Sequence, residues 1–152
     1  MTRVDRETIK DSEKNRLVQG LREAGAKITA QRIAICEYLA GNDQHPTAAD
    51  VYAALRPTFP TMSLATVYNT LSLLVELDLI HEVASPADGS TRYDPQVAPH
   101  LNLICTNCNR IIDVDGVDLT YLEELTARYG FQVADVNVAL HGLCAECRHN
   151  LN

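Results

Sequence analysis

The sequence predicts an α+β protein of two small domains, one over residues 1–92 and a small α/β domain over residues 93–152. Two observations support this class. Apolar residues recur at helical spacing in the first part of the chain, and short alternating runs typical of β-strands follow. Two Cys-x-x-Cys pairs occur only in the second part. With 152 residues and a 46% hydrophobic composition, the chain is long enough to bury a sizeable core.

Four helices are expected in the N-terminal domain. They cover residues 12–25, 30–40, 48–55 and 63–77. Gly25 closes the first helix, and Thr29 and Ser63 carry the hydroxyl groups that cap the second and the fourth at their N-termini.

The fourth helix is expected to be amphipathic. Its predicted buried stripe consists of Leu64, Val67, Leu71, Leu74 and Val75. Its opposite face displays Ala65, Thr66, Asn69 and Leu73. Residues 59–75 carry no charge, so this helix can approach phosphate groups without repulsion.

Strands are expected from residue 80 onward. Runs over 80–84 and 90–94 are joined by a Ser-Pro-Ala-Asp-Gly turn, and helices followed by a hairpin are the element order of a winged helix-turn-helix domain. The second domain is expected to contain strands over residues 100–105, 110–115 and 131–140. Its helix is expected over residues 118–129, with Leu122, Leu125 and Tyr129 on one face.

Composition limits the compartment and the partners. No stretch approaches the roughly 20 apolar residues that span a bilayer, and the charged N-terminus lacks the apolar core of a signal peptide, so a cytoplasmic protein without a membrane partner is expected. Taken as an average over the whole chain, the net charge of −7 argues against nucleic acid as a binding partner. Most of the acidic excess follows residue 93, however, and a local basic patch in the first half remains compatible with DNA binding.

The two cysteine pairs predict a structural zinc site. Cys105 with Cys108 and Cys144 with Cys147 offer two tight turns, each presenting two thiolates at the spacing of a tetrahedral Zn²⁺ site. Four protein ligands leave no open position for a substrate, so the site is expected to be structural. The alternative is two unrelated redox pairs or buried thiols. The fifth cysteine, Cys36, lies on an apolar helical stripe and is expected in the core.

A second metal site is expected near the domain boundary. Because alternate strand residues point to one face, His100 and Asn102 share a face, Asp113 lies on the paired strand, and Asp94 precedes them. Imidazole, carboxylate and amide oxygen together suit a harder ion such as Mn²⁺ or Fe²⁺. Each residue taken alone is more often an ordinary surface group.

Six segments together resemble a known family. They are TAQR (29–32), HPTAADVY (45–52), FPTMSLATVYNTL (59–71), RYD (92–94), HLNLICTNC (100–108) and CAEC (144–147). In order and spacing they resemble the Fur family of metal-dependent transcriptional repressors, and most of all its peroxide-sensing PerR branch. The likeness covers nearly the whole chain.

The resemblance implies a ligand set for the regulatory metal, at the junction of the two domains. It consists of His45, Asp94, His100, Asn102 and Asp113. Asn102 occupies a position where the family usually has His, and an amide oxygen should hold metal less tightly and shift the preference toward Mn²⁺. The resemblance also implies that His45 and His100 are the residues oxidised during peroxide sensing.

The resemblance further implies a homodimer that represses transcription by binding a palindromic DNA operator, with residues 63–77 as the recognition helix. A metal between the domains would set the angle between the two DNA-binding domains of the dimer. The recognition helices of these domains must enter major grooves about one helical turn apart. The candidate DNA contacts are Lys27, Gln31, Arg32, Ser63, Thr66, Tyr68 and Asn69. For Tyr68 the alternative is a half-buried core residue, and for Lys27 a solvated surface residue.

There are three alternatives to this function. Within the same fold, the chain could be an iron, manganese or zinc homeostasis repressor (Fur, Mur or Zur). An enzyme with a small-molecule substrate is not expected, because the four-cysteine site is closed and no His-x-Glu deaminase signature precedes it. The third alternative is an interaction protein that is switched by oxidation and zinc release.

Overall fold

The structure is a computed structural model that describes residues 6–85, 88–134 and 136–150. Its described residues form two compact units. The first unit takes those of Met1–Ala84 and Gly89–Val97, and the second takes those of Ser85–Asp88 and Ala98–Asn152. The predicted domains, 1–92 for DNA binding and 93–152 for dimerisation, stay predictions. No helix among the described residues has the length and apolar character needed to cross a bilayer.

Four helices and a hairpin make up the first unit. They are α1 (Arg6–Glu23), α2 (Ala30–Leu39), α3 (Ala48–Leu55), α4 (Leu64–Glu76), β1 (His81–Ala84) and β2 (Thr91–Asp94). This order confirms the predicted helices and the hairpin of a winged helix-turn-helix domain. Strands β1 and β2 pair antiparallel, and residues 86 and 87 of the predicted turn lie outside the described residues.

Helix α1 begins six residues before the predicted start at residue 12. Its first two turns are exposed and, apart from the exposed Ile9, mostly polar, so they carry no apolar periodicity, and only Leu17 and Leu21 of this helix are buried. Its end was predicted correctly: Gly25, with φ of +76°, donates its N–H to the carbonyl of Arg22, and the next residue donates to Leu21. This is the hydrogen-bond pattern of a Schellman motif, which needs a left-handed residue at that position.

Side-chain caps begin the other helices of this unit. The hydroxyl of Thr29 accepts from Arg32 N–H, and that of Ser63 accepts from Thr66 N–H, as predicted. Helix α3 has a full capping box, in which Thr47 and Asp50 satisfy each other's backbone N–H. Three of the four helix starts are therefore encoded locally.

The core of the first unit lies between its helices. Its fully buried side chains include Leu17, Leu21, Ile35, Cys36, Leu39, Val51, Val67, Leu71 and Leu74. The prediction for Cys36 is confirmed. The predicted α4 stripe is wrong at Leu64, which is 40% exposed because it is the first residue of the helix and projects beyond the core. Thr70 is buried in its place and donates its hydroxyl to the carbonyl of Thr66.

The second unit contains three strands and two helices. They are β3 (Leu101–Cys105), β4 (Ile111–Val114), α5 (Thr120–Ala127), β5 (Val138–Gly142) and α6 (Ala145–Asn150). The sheet order is β4-β3-β5, with β3 antiparallel to β4 and parallel to β5. The predicted strand over 131–140 is wrong in its start, because β5 begins at Val138, and α6 is too short and polar for periodicity to have revealed it.

Helix α5 also departs from its prediction. Gly130, with φ of +68°, ends it in another Schellman pattern, in which Phe131 donates to the carbonyl of Thr126. Tyr129 therefore lies beyond the helix and is 83% exposed rather than on its apolar face, and Leu122 and Leu125 are only half-buried.

Apolar side chains remain exposed on the second unit. They are Ile112, Tyr121, Tyr129, Phe131, Leu140 and Leu143. No residue of α5 is buried. This much exposed apolar and aromatic surface on a small unit is typical of an association surface.

Candidate metal centres

The four cysteines converge at one end of the β3-β5 sheet. Cys105 ends β3 and Cys108 lies in the following turn, while Cys144 precedes α6 and Cys147 lies within it. All four Sγ atoms lie within 4.8 Å of one another, and Cys108 Sγ is 3.8 Å from Cys144 Sγ. Tetrahedral Zn²⁺ with Zn–S bonds of about 2.3 Å separates its sulfurs by about 3.8 Å. The predicted grouping of these cysteines is present, and its geometry fits Zn²⁺.

Hydrogen-bond donors surround the sulfurs. Cys144 N–H donates to Cys105 Sγ at 3.3 Å, and Cys147 N–H donates to Cys144 Sγ at 3.5 Å. Donation from the backbones of Cys144, Cys108 and Asn107 lowers the pKa of Cys105 to about 6 and so favours its thiolate. At Cys147, donation from the Asn107 side chain lowers the pKa, but contact with the other thiols outweighs this effect and raises the pKa. Stabilised thiolates are what a Zn²⁺ site requires.

Two residues outside the cysteine pattern join the two turns. Asn107 donates its amide N–H to Cys147 Sγ at 3.2 Å, and Arg110 Nη1 lies 3.0 Å from Glu146 Oε1. Sequence reasoning missed both. The signal for Asn107 was its place within a Cys-x-x-Cys gap, where a side-chain amide can reach the other pair.

In the first unit, His45 and Asp94 form a buried pair, which we call the first-unit pair. His45 Nε2 lies 3.6 Å from Asp94 Oδ2, and both residues are almost fully buried. His45 Nδ1 lies 3.1 Å from the carbonyl of Asp43. Because a carbonyl only accepts, this contact places a proton on Nδ1, and in the neutral ring the lone pair then lies on Nε2, facing the carboxylate. Asp94 Oδ1 accepts from the backbone N–H of Gln96 at 2.8 Å.

The backbone at His45 is held in an unusual conformation. Its φ of +50° lies in the left-handed region, which costs a residue with a side chain about 1–2 kcal/mol. Strand β2 holds the segment in place: Tyr93 N–H donates to the carbonyl of Pro46 at 3.0 Å, and Arg92 donates to that of His45 at 3.4 Å. Strain of this kind clusters at functional sites. Nothing in the residue pattern around His45 predicted this strain.

The second unit holds a comparable group, His100, Asn102 and Asp113, which we call the second-unit trio. His100 Nε2 lies 3.8 Å from Asp113 Oδ1, and Asn102 is the register partner of Asp113 across β3 and β4. His100 Nδ1 lies 2.8 Å from the carbonyl of Ala98, two residues earlier, as in His45. Asn102 is 2% exposed, and among the described residues no donor reaches its Oδ1.

Both groups fit the donor chemistry of a divalent ion. The distances of 3.6 and 3.8 Å are too long for hydrogen bonds, whereas two ligands bound at about 2.0–2.2 Å to one ion lie about 3 to 4 Å apart. Each histidine has one nitrogen anchored and the other directed at a carboxylate, as metal-binding histidines do. The mixture of imidazole with carboxylate and amide oxygens suits Mn²⁺ or Fe²⁺.

The candidate DNA contacts lie in the first unit, on α4 and near α2. Tyr68 is 48% exposed and Asn69 is exposed, whereas Thr66 is half-buried and its hydroxyl lies 2.9 Å from that of Ser63. Lys27 is exposed. Arg32 donates to the carbonyl of Lys27 at 2.7 Å, and Gln31 donates to Thr61 at 3.3 Å. The exposure of Tyr68 disfavours the interpretation as a core residue.

Comparison with known proteins identifies the family. The Ferric uptake regulator family matches residues 23–141. The "Peroxide operon regulator" of Bacillus subtilis is 41% identical over 136 residues, which are 89% of this chain and 93% of that protein. The solved PerR from Streptococcus pyogenes, described for peroxide sensing and gene regulation, is 35% identical, with 89% and 92% of the two chains covered and a TM-score of 0.53. The Helicobacter pylori ferric uptake regulator Fur, at 22% identity, covers 97% of each chain with a TM-score of 0.73 and supports the fold alone. The chain therefore belongs to the Ferric uptake regulator family.

Proposed function

We propose that this chain is a metal-dependent, DNA-binding transcriptional repressor that responds to peroxide. The observation that carries the proposal is the pair of buried histidines, each with Nδ1 anchored on a carbonyl two residues earlier and Nε2 directed at a carboxylate. The relative named for a peroxide operon, at 41% identity over most of both chains, supports the peroxide response. No catalytic role is proposed.

The proposal assigns two metals. Zn²⁺ bound by Cys105, Cys108, Cys144 and Cys147 is structural, since it ties β3 to α6 and leaves no open coordination position. The first-unit pair and the second-unit trio together hold one regulatory Mn²⁺ or Fe²⁺. Support comes from the donor chemistry of the two groups, which together offer two imidazoles, two carboxylates and one amide oxygen.

The regulatory ion would act on DNA binding through the elements that carry its ligands. His45 lies two residues before the cap of α3, and Asp94 is the last residue of β2. An ion shared with the second unit would thus fix the helix-turn-helix and the hairpin relative to that unit. In a dimer this sets the separation of two recognition helices, which must match the repeat of the double helix.

Proteins of this family are dimeric DNA-binding regulators. We propose a palindromic operator in the cytoplasm, read by α4 in the major groove. The uncharged, exposed face of α4 supports this role. The proposed DNA contacts are Lys27, Gln31, Arg32, Ser63, Thr66, Tyr68 and Asn69. Asn69 suits adenine edges, and the backbone N–H groups at the start of α4 suit a phosphate.

Bound Fe²⁺ would activate peroxide by giving it one electron; overall, one oxygen atom of H₂O₂ would pass to a histidine ring, which is thereby oxidised by two electrons, and the other would leave as water. His45 and His100, as its proposed ligands, are the side chains nearest to that chemistry, and oxidation of either ring would weaken its metal bond. Their burial keeps both rings from oxidants in bulk solvent. Modification would therefore depend on the metal.

One experiment tests the proposed function. A DNA duplex is selected from a randomised pool by the Mn²⁺-loaded dimer, its affinity is measured with Mn²⁺ and with Fe²⁺, and a small excess of peroxide is added before peptide masses are mapped. We expect that only the Fe²⁺-loaded protein, and not the Mn²⁺-loaded protein, gains oxygen at His45 or His100 and loses DNA binding. Unmodified histidines with unchanged binding would contradict the peroxide response.

A manganese homeostasis repressor is the second candidate. The observation that favours it is Asn102, a buried amide oxygen among the proposed ligands, because oxygen donors favour Mn²⁺ over later divalent metals. The same experiment separates the two: metal-dependent DNA binding that survives peroxide in the Fe²⁺ form supports the homeostasis repressor. Zinc loss without histidine oxidation would instead support an oxidation-switched interaction protein.

A further inference from the structure

Arg16 of helix α1 links three separate parts of the first unit. Its guanidinium donates through Nη1 to the carbonyl of Leu79 at 3.0 Å and through Nη2 to the carbonyl of Pro95 at 2.9 Å. These carbonyls lie 63 and 79 residues away in the sequence. The two bonds connect α1 with the turn after α4 and with the segment that follows β2.

The second of these bonds acts on the peptide next to Asp94. The carbonyl of Pro95 and the N–H of Gln96 belong to one peptide unit, and in a trans peptide these groups point in opposite directions. The N–H of Gln96 donates to Asp94 Oδ1 at 2.8 Å. The order of groups is therefore guanidinium, carbonyl, N–H and carboxylate, with one hydrogen bond at each end of the peptide.

We propose that Arg16 is a positioning residue for the regulatory metal site, acting on Asp94 through the Pro95–Gln96 peptide. This inference rests on the proposed function, which makes Asp94 a metal ligand. The charged donor fixes the plane of the peptide, and it polarises the amide so that the N–H binds Asp94 Oδ1 more strongly. Asp94 Oδ2 is thereby kept facing His45 Nε2, 3.6 Å away.

This arrangement explains why a ligand at the end of a strand is well oriented. Pairing of β1 with β2 ends at Asp94, so the peptides beyond it have no ladder partner in this hairpin. Arg16 supplies the missing restraint from α1. Removing a group that orients a metal ligand typically lowers metal affinity 10- to 100-fold.

The test measures metal affinity without DNA. Protein with its cysteine site filled by Zn²⁺ is titrated with Co²⁺, followed by visible absorption, and with Mn²⁺, followed by electron paramagnetic resonance. We expect Arg16→Met to weaken both by about tenfold, at the lower end of that range because Arg16 acts through a peptide. Arg16→Lys should recover part of the affinity, since it retains a cationic donor. Arg22→Met is the matched control, because the Arg22 side chain donates to Gln19 at the exposed surface of the same helix, and it should leave both affinities unchanged.

A double-mutant comparison separates positioning from general destabilisation. In an Asp94→Ala background, Arg16→Met should cause no further loss of affinity, because the carboxylate that it orients is gone. Amide exchange at Gln96 should be faster in Arg16→Met. Should Arg16→Met fail to fold, Arg16→Gln, which keeps one donor, replaces it.

Two results would overturn the inference. The first is an equal metal affinity in wild type and Arg16→Met. The second is that Arg16→Met lowers the metal affinity by the same factor in the wild-type and the Asp94→Ala backgrounds. Failure of the proposed function looks different. In that case Co²⁺ and Mn²⁺ would bind and depend on Arg16 and Asp94, but the affinity for DNA would not change with metal.

Discussion

At the residue scale, two histidines far apart in the sequence have the same local design. In each, Nδ1 binds the carbonyl of the residue two positions earlier, which selects the tautomer with its lone pair on Nε2. Sequence reasoning chose His100 from its strand neighbours, and His45 from resemblance. It could not reveal the tautomer or the positive φ of His45, because both depend on backbone geometry that β2 imposes from outside the segment.

Asp113→Ala tests the second-unit trio. The substitution removes one anionic donor, so we expect metal-dependent DNA binding to be lost while one zinc per chain is retained. Zinc by atomic absorption and DNA affinity with saturating Mn²⁺ are the measurements. Exposed Asp115, on the same segment, provides the control Asp115→Ala, which should behave as wild type. Zinc loss in Asp113→Ala would mean that the two sites have been misassigned.

Asn102→His tests the metal preference. Imidazole in place of an amide oxygen should raise the affinity for Co²⁺ and Fe²⁺ by about tenfold or more, and that for Mn²⁺ by less, because nitrogen donors favour later metals. Competitive titrations measure the ratio of affinities. Asn137→His, on the exposed surface of the same unit, is the control. An unchanged ratio would show that residue 102 does not bind the ion.

At the element scale, the parts with local signals were predictable. Thr29, Ser63 and Gly25 fix helix ends through hydrogen bonds within a few residues, and the structure agrees at all three. The start of α1 and the start of β5 were missed for another reason. The first turns of α1 bury nothing, and β5 exists because β3 pairs with it in parallel, which no nearby residue encodes.

Thr47→Ala tests the capping box that joins His45 to α3. Loss of this cap should lower the free energy of unfolding by about 1 kcal/mol. Denaturant unfolding with the cysteine site filled measures it, and exposed Thr58→Ala is the control.

The same capping box predicts a pH dependence. Two hydrogen bonds from Thr47 lower the pKa of Asp50, and the bond from the backbone N–H has a larger effect than the bond from the side chain. Because the pKa of Asp50 is lowered in the folded state, the ionised carboxylate stabilises the fold at pH values above the unfolded pKa of about 3.9. This stabilisation is lost as the pH falls through the folded pKa. The deficit of Thr47→Ala should therefore shrink in acid, and a deficit that is constant with pH would contradict the capping role of Asp50.

At the scale of the whole molecule, the second unit is held by few buried side chains and leaves much apolar surface exposed. Ile104, Cys105 and Cys147 are among its few buried apolar residues, and two of these are proposed zinc ligands. We expect such a unit to depend on its metal and on association for stability. The sequence predicted the cysteine grouping from spacing alone, but the exposed aromatic residues around α5 became evident only when the helix ended before Tyr129.

Removal of zinc tests this dependence. Cys147→Ser should abolish stoichiometric zinc, lower the melting temperature and shift the protein from dimer toward monomer in analytical ultracentrifugation. Cys36→Ser, a buried cysteine of the first unit, should destabilise the fold while retaining zinc and the dimer. A stable, zinc-free dimer in Cys147→Ser would contradict the structural role of the site.

The central proposal is that one ion, held jointly by ligands of both units, brings the protein into a conformation that fits DNA. The most direct measurement is the affinity for the selected duplex of protein with a filled cysteine site, with and without Mn²⁺, at constant ionic strength. The account predicts binding about 10- to 100-fold tighter with Mn²⁺, and by reciprocity an equal rise in Mn²⁺ affinity when DNA is present. Equal DNA affinity with and without the ion would contradict it.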